Sequence, residues 1–182
     1  MAEKHRDNLH QAGAAGFISK AAFSNACNLL PLVSIDLVIT CSSFDQIELL
    51  LGLRNNRPAQ NFWFTPGGRI RKNESWIAAL KRIWCDEIDG PVEMINRVAF
   101  MGAWDHFYKD SAYADNISTH YVNLPQWLHL TSEEVHALKL PKGKNEQHSC
   151  WKWASLEDAI TNHGVHPYAR NYAEWVRQQL AT

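Results

Sequence analysis

The segment NRPAQNFWFTPGGRIRKNE, residues 56–74, constrains the fold more than any other stretch of this chain. Its aromatic residues 61–65 are typical of a β-strand, and the sequence ESWIAALKRIWCDEI at 74–88 is typical of an amphipathic helix. Two glycines stand between them, and a glycine pair allows a tight turn and the close approach of a ligand to the backbone. The segment therefore predicts a strand, a turn and a helix arranged around a ligand site.

Length and charge limit the classes of protein to which this chain can belong. A chain of 182 residues fits one domain, which we expect over residues 17–182 after a flexible tail at residues 1–16. A net charge of -1 supplies no basic field for nucleic acid or an acidic membrane. No apolar run reaches the length of a membrane span, and residues 1–16 lack the hydrophobic stretch of a signal peptide. We therefore expect a cytoplasmic protein that binds neither nucleic acid nor membrane.

The cysteines are scattered along the chain and form no C-x-x-C pair; they are Cys27, Cys41, Cys85 and Cys150. This pattern favours reduced and mostly buried thiols over a disulfide framework or a zinc site. Reduced thiols agree with the expected cytoplasmic location.

Hydrophobic periodicity predicts helices and strands along the whole chain. The predicted helices lie at 17–30, at 74–88, from a capping box at Thr131, from a cap at Ser155, and at 168–180. The predicted strands lie at 32–40, 45–54, 61–65, 97–108, 118–124 and 150–154. Strands in the middle with helices before, between and after them predict an α/β sandwich around a mixed sheet. Only short turns separate the first three strands, which argues against a parallel Rossmann order.

A spaced pattern of acids and one arginine begins at Gly68. Five residues separate Gly68 from Glu74, and seven separate Glu74 from Arg82. Positions 83, 86 and 87 then fall on one face of the helix, where carboxylates would be hard oxygen ligands for Mg²⁺. The pattern resembles the Nudix box, G-x5-E-x7-R-E-U-x-E-E-x-G-U, in which U is a bulky aliphatic residue. In that family the loop-helix-loop binds a divalent metal that holds a diphosphate.

The pattern departs from the box at several positions. Ile83 replaces the first glutamate, Asp86 is a shortened version of the next acid, and Glu87 is intact. Asp89 stands where the family has glycine, and Gly90 stands where it has an aliphatic residue. Judged on the helix alone, the alternative is an amphipathic helix with a solvated acidic end.

A longer resemblance covers nearly all of residues 17–178. It rests on PLVSIDLVI (31–39), LLLGLRNNRPAQNFWFTPGGRI (49–70), GAWDHFY (102–108), STHYV (118–122) and NEQH (145–148). Together these segments look like the GDP-mannose mannosyl hydrolase branch of the Nudix superfamily, whose members characteristically lack the glutamate that Ile83 replaces. The resemblance implies a Nudix-type α/β/α sandwich around a mixed β-sheet, and a homodimer.

The resemblance also implies an activity. Ordinary Nudix enzymes cleave a P–O bond of a diphosphate, whereas this branch attacks the anomeric carbon of the sugar, inverts it and expels GDP. A diphosphate held by Mg²⁺ and arginines is a stabilised leaving group, so the reaction needs a base but no general acid. The implied reaction is Mg²⁺-dependent hydrolysis of GDP-mannose, with GDP-glucose as a second substrate and Mn²⁺ as a substitute metal.

Matching positions supply the metal ligands and the base of the implied site. Gly67 through its carbonyl oxygen, Glu87 and Gln147 correspond to the metal ligands of the family. His148 corresponds to the general base, because an imidazole that titrates near neutrality can take a proton from water. Taken alone, these residues are equally typical of a turn glycine, a surface acid and a polar loop.

Arginines in the same region correspond to groups that bind the diphosphate. Arg54 and Arg69 match the residues that grip it, since the planar guanidinium meets phosphate oxygens bidentately. Arg57 lies in the same loop and is a candidate for a contact with the nucleotide or with a partner subunit.

Four further residues lie in the predicted strands. Tyr121 corresponds to a hydroxyl donor to the phosphates, and Asp36 to a residue that orients the sugar or its leaving oxygen. An acid in the middle of a buried strand needs a partner in any case, so a structural role for Asp36 stays open. His106 and His120 are candidates for substrate contact or for hydrogen-bonded residues of the cleft wall.

Two other functions remain open on the sequence. One is cleavage of the diphosphate of a nucleotide or nucleotide sugar, which would release GMP and a sugar phosphate. The other is a nucleotide-sugar-binding protein that has lost catalysis, which the missing box acids favour. The retained Glu87, Gln147 and His148 argue for an enzyme.

Overall fold

The computed structural model describes residues 18–43, 46–142 and 147–181. In these ranges the α-helices are α1 Lys20–Leu29, α2 Trp76–Glu87, α3 Ser132–His136, α4 Leu156–Thr161 and α5 Pro167–Leu180, with a 3₁₀ helix at Val92–Arg97. None of the described helices has the length and apolar character needed to cross a bilayer. The tail predicted at residues 1–16, together with Asn145 and Glu146 of the NEQH segment, lies outside the described ranges.

The strands of the described chain form one mixed sheet. They are β1 Leu32–Ser43, β2 Gln46–Arg54, β3 Trp63–Phe64, β4 Gly67–Arg69, β5 Ala99–Phe100, β6 Trp104–Tyr108, β7 Thr119–Asn123, β8 Gln126–Leu130 and β9 His148–Ser155. The order β3-β2-β1-β7-β6 places β1 in the centre, with β9 added beside β2. This mixed order confirms the predicted α/β class.

Strand β1 joins the two halves of the sheet. Its first half pairs antiparallel with β4 and parallel with β7, and its second half pairs parallel with β8 and antiparallel with β2. Residues 34–41 are all buried, as expected for a central strand covered on both faces. Buried backbone groups of such a strand need hydrogen-bond partners, and the four strands together with the Pro66 carbonyl oxygen, which accepts from the Leu37 amide at 2.8 Å, supply them.

The buried side chains of β1 alternate between two apolar layers. Ile35, Leu37 and Ile39 pack with Leu80 and other residues of α2 on one face of the sheet. Val38 faces the opposite layer, where the buried residues of β2 and of helices α4 and α5 gather. Two helical layers on one sheet are the predicted α/β/α sandwich.

Helix α2 begins at Trp76, close to the start predicted at residue 74. The Ser75 hydroxyl caps it by accepting a hydrogen bond from the Ala78 amide. Glu74 accepts from the Arg71 amide at 2.8 Å and from Arg82 at 2.7 and 2.9 Å, so the carboxylate ties the preceding loop to the helix. Arg82 also forms an ion pair with Asp86 one helical turn on, with Nη1 3.6 Å from Asp86 Oδ2.

Several predicted elements differ from the structure. The glycine pair is not a turn: it lies in β4, which pairs with β1 through backbone hydrogen bonds. The strand predicted at 97–108 is split into β5 and β6, because Gly102 has a positive φ of 92°. Strand β8 and the 3₁₀ helix were not predicted. All four cysteines are free, but only Cys27 and Cys41 are buried, so the prediction of mostly buried thiols is half right.

His166 connects the start of α5 to two phenylalanines at β3. Its Nδ1 caps the helix by accepting from the Tyr168 amide, and Pro167 occupies the first turn. The imidazole packs edge-on against Phe62 and Phe64, with ring centroids 5.2 and 5.0 Å away. Burial and the nearby arginines lower the pKa of His166 to about 4.

The depressed pKa of His166 predicts that stability falls in acid. In the unfolded chain an imidazole titrates near its ordinary pKa of about 6.5, so between about pH 6.5 and 4 the unfolded state binds about one more proton at this position than the folded state. The free energy of unfolding is therefore expected to decrease as the pH falls through this window. His166→Asn keeps a helix-capping side chain and removes the imidazole, so its decrease should be shallower.

Denaturant unfolding at a series of pH values measures this effect. His163→Asn makes the same change at an exposed position and serves as the control. An identical pH dependence in wild type and His166→Asn would contradict the prediction.

Candidate functional site

One cleft collects nearly all of the residues that the sequence predicts for a site. It is lined by Asp36, Arg54, Arg57, Gly67, Arg69, Glu87, His106, Tyr121 and Gln147, among others. These side chains come from the central strand, from neighbouring strands and loops, and from the end of α2. His148 is not among the lining residues, and neither is His120.

The backbone at Gly67 is held against the central strand. A Cβ atom at this position would lie 2.4 Å from Asp36 Oδ1 and 2.6 Å from the Ile35 carbonyl oxygen, so only glycine allows β4 to pair here. The Gln147 amide donates to the Gly67 carbonyl oxygen at 2.9 Å. Two of the three predicted metal ligands are therefore in contact, although 80 residues separate them in the chain.

The end of helix α2 forms another wall of the cleft. Ile83, Asp86 and Glu87 all line it, which confirms that positions 83, 86 and 87 share one face. Ile83 is fully buried, and a Cβ at Gly68 would lie 3.2 Å from its side chain. Ile83 therefore packs against β4 at Gly68. Asp86 is exposed and Glu87 is partly buried.

His148 lies directly behind Glu87. Its Nδ1 is 3.3 Å from Glu87 Oε2, but neither ring nitrogen makes a hydrogen bond of good geometry with the described residues. The ring packs against Trp151 and over Gly52, where a Cβ would lie 2.4 Å from it. Burial lowers the pKa of His148, and the Glu87 carboxylate opposes that shift.

The chemistry of this donor set fits a hard divalent cation. No cluster of three or more His, Cys, Asp or Glu side chains suited to a metal occurs in the described part of the chain. The predicted ligands, all of which line the cleft, are the Glu87 carboxylate, the Gly67 carbonyl oxygen and the amide of Gln147. One carboxylate with neutral oxygens suits Mg²⁺, which keeps several waters and substrate oxygens in its coordination shell.

Two arginines that the sequence predicts as diphosphate ligands, Arg54 and Arg69, line the cleft. Arg54 Nη2 donates to the Pro58 carbonyl oxygen at 3.3 Å, while its Nε is buried and has no hydrogen-bond partner in the described ranges. Burial lowers the pKa of Arg54, against the opposing effect of nearby acidic groups. The Arg69 guanidinium lies over the Phe23 ring, 5.7 Å from its centroid.

Arg57 joins two loops at the mouth of the cleft. It forms an ion pair with Asp115, and its Nε lies 3.8 Å from Asp110 Oδ2. Both acids belong to the segment between β6 and β7. The sequence leaves open whether Arg57 contacts the nucleotide, a partner subunit or neither, and these two acids carry no motif that would reveal the pairing.

A buried polar network lies at the inner end of the cleft. The Tyr172 hydroxyl donates to Asp36 Oδ2 at 2.9 Å, and the Asn123 amide donates to the Ser34 hydroxyl at 2.8 Å. Burial raises the pKa of Asp36 to about 6, while the hydrogen bonds from Tyr172 and Asn123 oppose the rise. Sequence reasoning missed Tyr172, whose only signal was its place in the apolar stripe of α5.

The remaining predicted residues differ in their surroundings. Tyr121 lines the cleft, and burial raises the pKa of its hydroxyl to about 12, so the group remains a donor at neutral pH. His106 is buried in the inner wall, where burial lowers its pKa to about 3. His120 makes a hydrogen bond with Asp105 at 3.0 Å and is not among the residues that line the cleft.

Comparisons with known proteins agree with this architecture. The NUDIX domain family matches residues 32–177. The low-salt glycan biosynthesis protein Agl8 of Haloferax volcanii is 33% identical over 145 residues, which cover 80% of this chain and 81% of that protein.

Two solved structures share the fold at low sequence identity. The NUDIX domain of Shewanella oneidensis NrtR, complexed with ADP ribose, superposes with a TM-score of 0.62 at 18% identity, over 90% of this chain and 99% of that one. The MutT NUDIX hydrolase from Burkholderia pseudomallei has a TM-score of 0.60 at 22% identity, over 80% and 98%. Since the family match extends from the central strand into helix α5, this chain belongs to the NUDIX domain family.

Proposed function

We propose that this protein hydrolyses GDP-mannose, with GDP-glucose as a second substrate, to GDP and the free sugar. Water attacks the anomeric carbon and inverts it, and the reaction depends on Mg²⁺. The observation that carries the proposal is the cleft face of α2, where a buried Ile83 stands in place of the box acid beside an intact Glu87. With Ile83 in place of the first box acid, Glu87 and the exposed Asp86 are the carboxylates left on this face, and they suit one cation on the diphosphate.

The proposed metal ligands are Glu87, Gly67 and Gln147. The Gln147 amide nitrogen donates to the Gly67 carbonyl oxygen at 2.9 Å, and this contact between two of the proposed ligands supports the assignment. Rotation of the amide by half a turn would present its oxygen instead. When bound, Mg²⁺ would neutralise charge on the diphosphate and stabilise GDP as the leaving group.

The proposed diphosphate ligands are Arg54, Arg69 and Tyr121. All three line the cleft. The buried Nε of Arg54 retains an unused donor, and a phosphate oxygen would satisfy it. The Tyr121 hydroxyl stays protonated at neutral pH and would donate one more hydrogen bond. Positive charge and donors aimed at the diphosphate stabilise the charge that develops as the C–O bond breaks.

His148 is the proposed general base. Its two ring nitrogens lack hydrogen-bond partners among the described residues, and a buried imidazole without partners has capacity to bind and deprotonate a water. Glu87 lies 3.3 Å from Nδ1 and would stabilise the imidazolium that forms. For this role water must reach an imidazole that is only 1% exposed.

The relative Agl8 adds a biological context. Its description as a glycan biosynthesis protein agrees with a nucleotide-sugar substrate, because glycans are assembled from activated sugars. A nucleotide sugar is the class of substrate that we propose for this chain.

Hydrolysis in ¹⁸O-water tests the proposed reaction. The protein is incubated with GDP-mannose and Mg²⁺, and the products are resolved by phosphorus NMR and mass spectrometry. We expect GDP without label and mannose with label, first formed as the inverted anomer. Label in phosphate, with GMP as product, would instead support diphosphate cleavage. Binding of GDP-mannose without turnover would support a binding protein.

Removal of the proposed carboxylate ligand should weaken the metal site. Glu87→Gln keeps the shape of the side chain and removes its charge, so the Mg²⁺ concentration for half-maximal activity should rise by about tenfold or more. The matched control is Asp86→Asn, which neutralises the neighbouring acid on the same face. Mg²⁺ titrations of activity measure both variants. An unchanged Mg²⁺ requirement in Glu87→Gln would show that Glu87 is not a ligand.

Removal of the proposed base should slow turnover. His148→Gln retains a hydrogen-bonding side chain that cannot accept a proton into a cationic form, so kcat should fall by about 10² to 10⁴-fold. The KM for GDP-mannose should change little, because the diphosphate ligands are intact. His120→Gln removes an imidazole outside the cleft and should behave like wild type. Wild-type turnover in His148→Gln would assign the base to another residue.

A further inference from the structure

Tyr172 links three strands to helix α5 at the inner end of the cleft. Its side chain is fully buried, and its hydroxyl lies 2.9 Å from Asp36 Oδ2, 3.0 Å from His106 Nε2 and 3.2 Å from Asn123 Oδ1. Those three partners come from β1, β6 and β7 and all line the cleft, whereas Tyr172 does not. No motif of the sequence assigns a role to this hydroxyl.

The single proton of the phenol limits how these contacts can be arranged. A carboxylate is a stronger acceptor than an amide oxygen or an imidazole nitrogen, so the Tyr172 proton goes to Asp36 at 2.9 Å, and Asn123 Oδ1 at 3.2 Å is the weaker second acceptor of the same proton. The hydroxyl oxygen then has lone pairs left for His106, and the 3.0 Å contact requires Nε2 to be the protonated nitrogen. Burial keeps His106 neutral, because it lowers the pKa of the imidazole to about 3. Its Nδ1 is therefore an acceptor.

A second tyrosine on the same helix fixes the plane of the imidazole. Tyr168 stacks on His106 with ring centroids 3.8 Å apart and an angle of 6° between the rings. Its hydroxyl accepts from the Phe107 amide at 2.6 Å and donates to the Phe107 carbonyl oxygen at 3.1 Å, so it is bound to backbone only. Tyr168 and Tyr172, one helical turn apart, thus both act on His106. Tyr168 fixes the plane of the imidazole, and Tyr172 fixes which of its nitrogens carries the proton.

We propose that Tyr172 is a positioning residue that holds the Asp36 carboxylate and sets the Nε2–H tautomer of His106, so that both present acceptors to two neighbouring hydroxyl groups of the bound sugar. His106 Nδ1 and Asp36 Oδ2 are 3.9 Å apart. The one proton of a single hydroxyl cannot serve both acceptors, whereas two hydroxyls on adjacent ring carbons can. This inference rests on the proposed function, because it takes the sugar of the nucleotide sugar as the ligand.

The tautomer is measurable without any turnover. Nitrogen-15 NMR of protein labelled at histidine distinguishes protonated from unprotonated ring nitrogens, and the His106 signals are identified by their loss in His106→Asn. We expect a protonated Nε2 and an unprotonated Nδ1 in the wild-type protein. A protonated Nδ1 would overturn the proposal, and this result requires no variant at Tyr172 to fold.

Two matched variants then separate positioning from packing. Tyr172→Phe removes the hydroxyl that contacts Asp36 and His106, and Tyr168→Phe removes a hydroxyl that contacts only backbone. In Tyr172→Phe we expect a mixture of His106 tautomers and a fall in kcat/KM for GDP-mannose of about tenfold to a hundredfold, as for the loss of a hydrogen bond to a buried charged group. In Tyr168→Phe the wild-type tautomer should persist.

GDP binding separates failure of this inference from failure of the proposed function. The affinity for GDP, measured by calorimetry, should be equal in wild type and Tyr172→Phe, because GDP has no sugar at the inner end of the cleft. An unchanged tautomer and unchanged kcat/KM in Tyr172→Phe would overturn the role of Tyr172. The absence of any mannose release by the wild-type protein would overturn the proposed function, while the tautomer measurement would still decide the role of the hydroxyl.

Discussion

Strand β1 is the element on which the rest of the structure depends. It pairs with four strands along its length, and residues 34–41 are buried between two helical layers. Period-two alternation directs Ile35 and Leu37 to the α2 layer and Asp36 to the opposite side. Desolvation makes a buried carboxyl costly unless hydrogen bonds compensate it, and Tyr172 supplies that compensation. The cleft forms where the central strand brings this polar group into the interior.

Helix α5 completes the site although no family motif lies on it. Its residues Ala169, Tyr172, Ala173 and Val176 are buried in the apolar layer. The same helix face carries the hydroxyl that meets Asp36 and the ring that stacks on His106. The packing of α5 against the sheet therefore also determines the positions of the polar groups at the inner end of the cleft. A substitution among the buried apolar residues of α5 would therefore also displace the polar groups of the cleft.

Much of the fold and of the candidate site could be predicted from sequence, for identifiable reasons. The central strand and α2 have strong period-two and helical patterns, and Ser75 caps α2 where its pattern begins. The glycine pair was misjudged as a turn, because glycines also permit close strand pairing, and only the contact of Gly67 with Asp36 distinguishes the two. The pairing of Arg57 with Asp115 was missed because long-range ion pairs leave no local pattern.

The sequence by itself determined the layered α/β architecture, the family and the residue types available for an anionic ligand and its metal. Those properties depend on local periodicity and on motif spacing, which a chain carries without folding. Only the tertiary structure decided that His148 is buried behind Glu87 rather than open to the cleft, and that Tyr172 reaches Asp36 across 136 positions of the chain. Burial and hydrogen-bond partners arise from contacts between distant segments. The spacing of residues along the sequence does not predict those contacts.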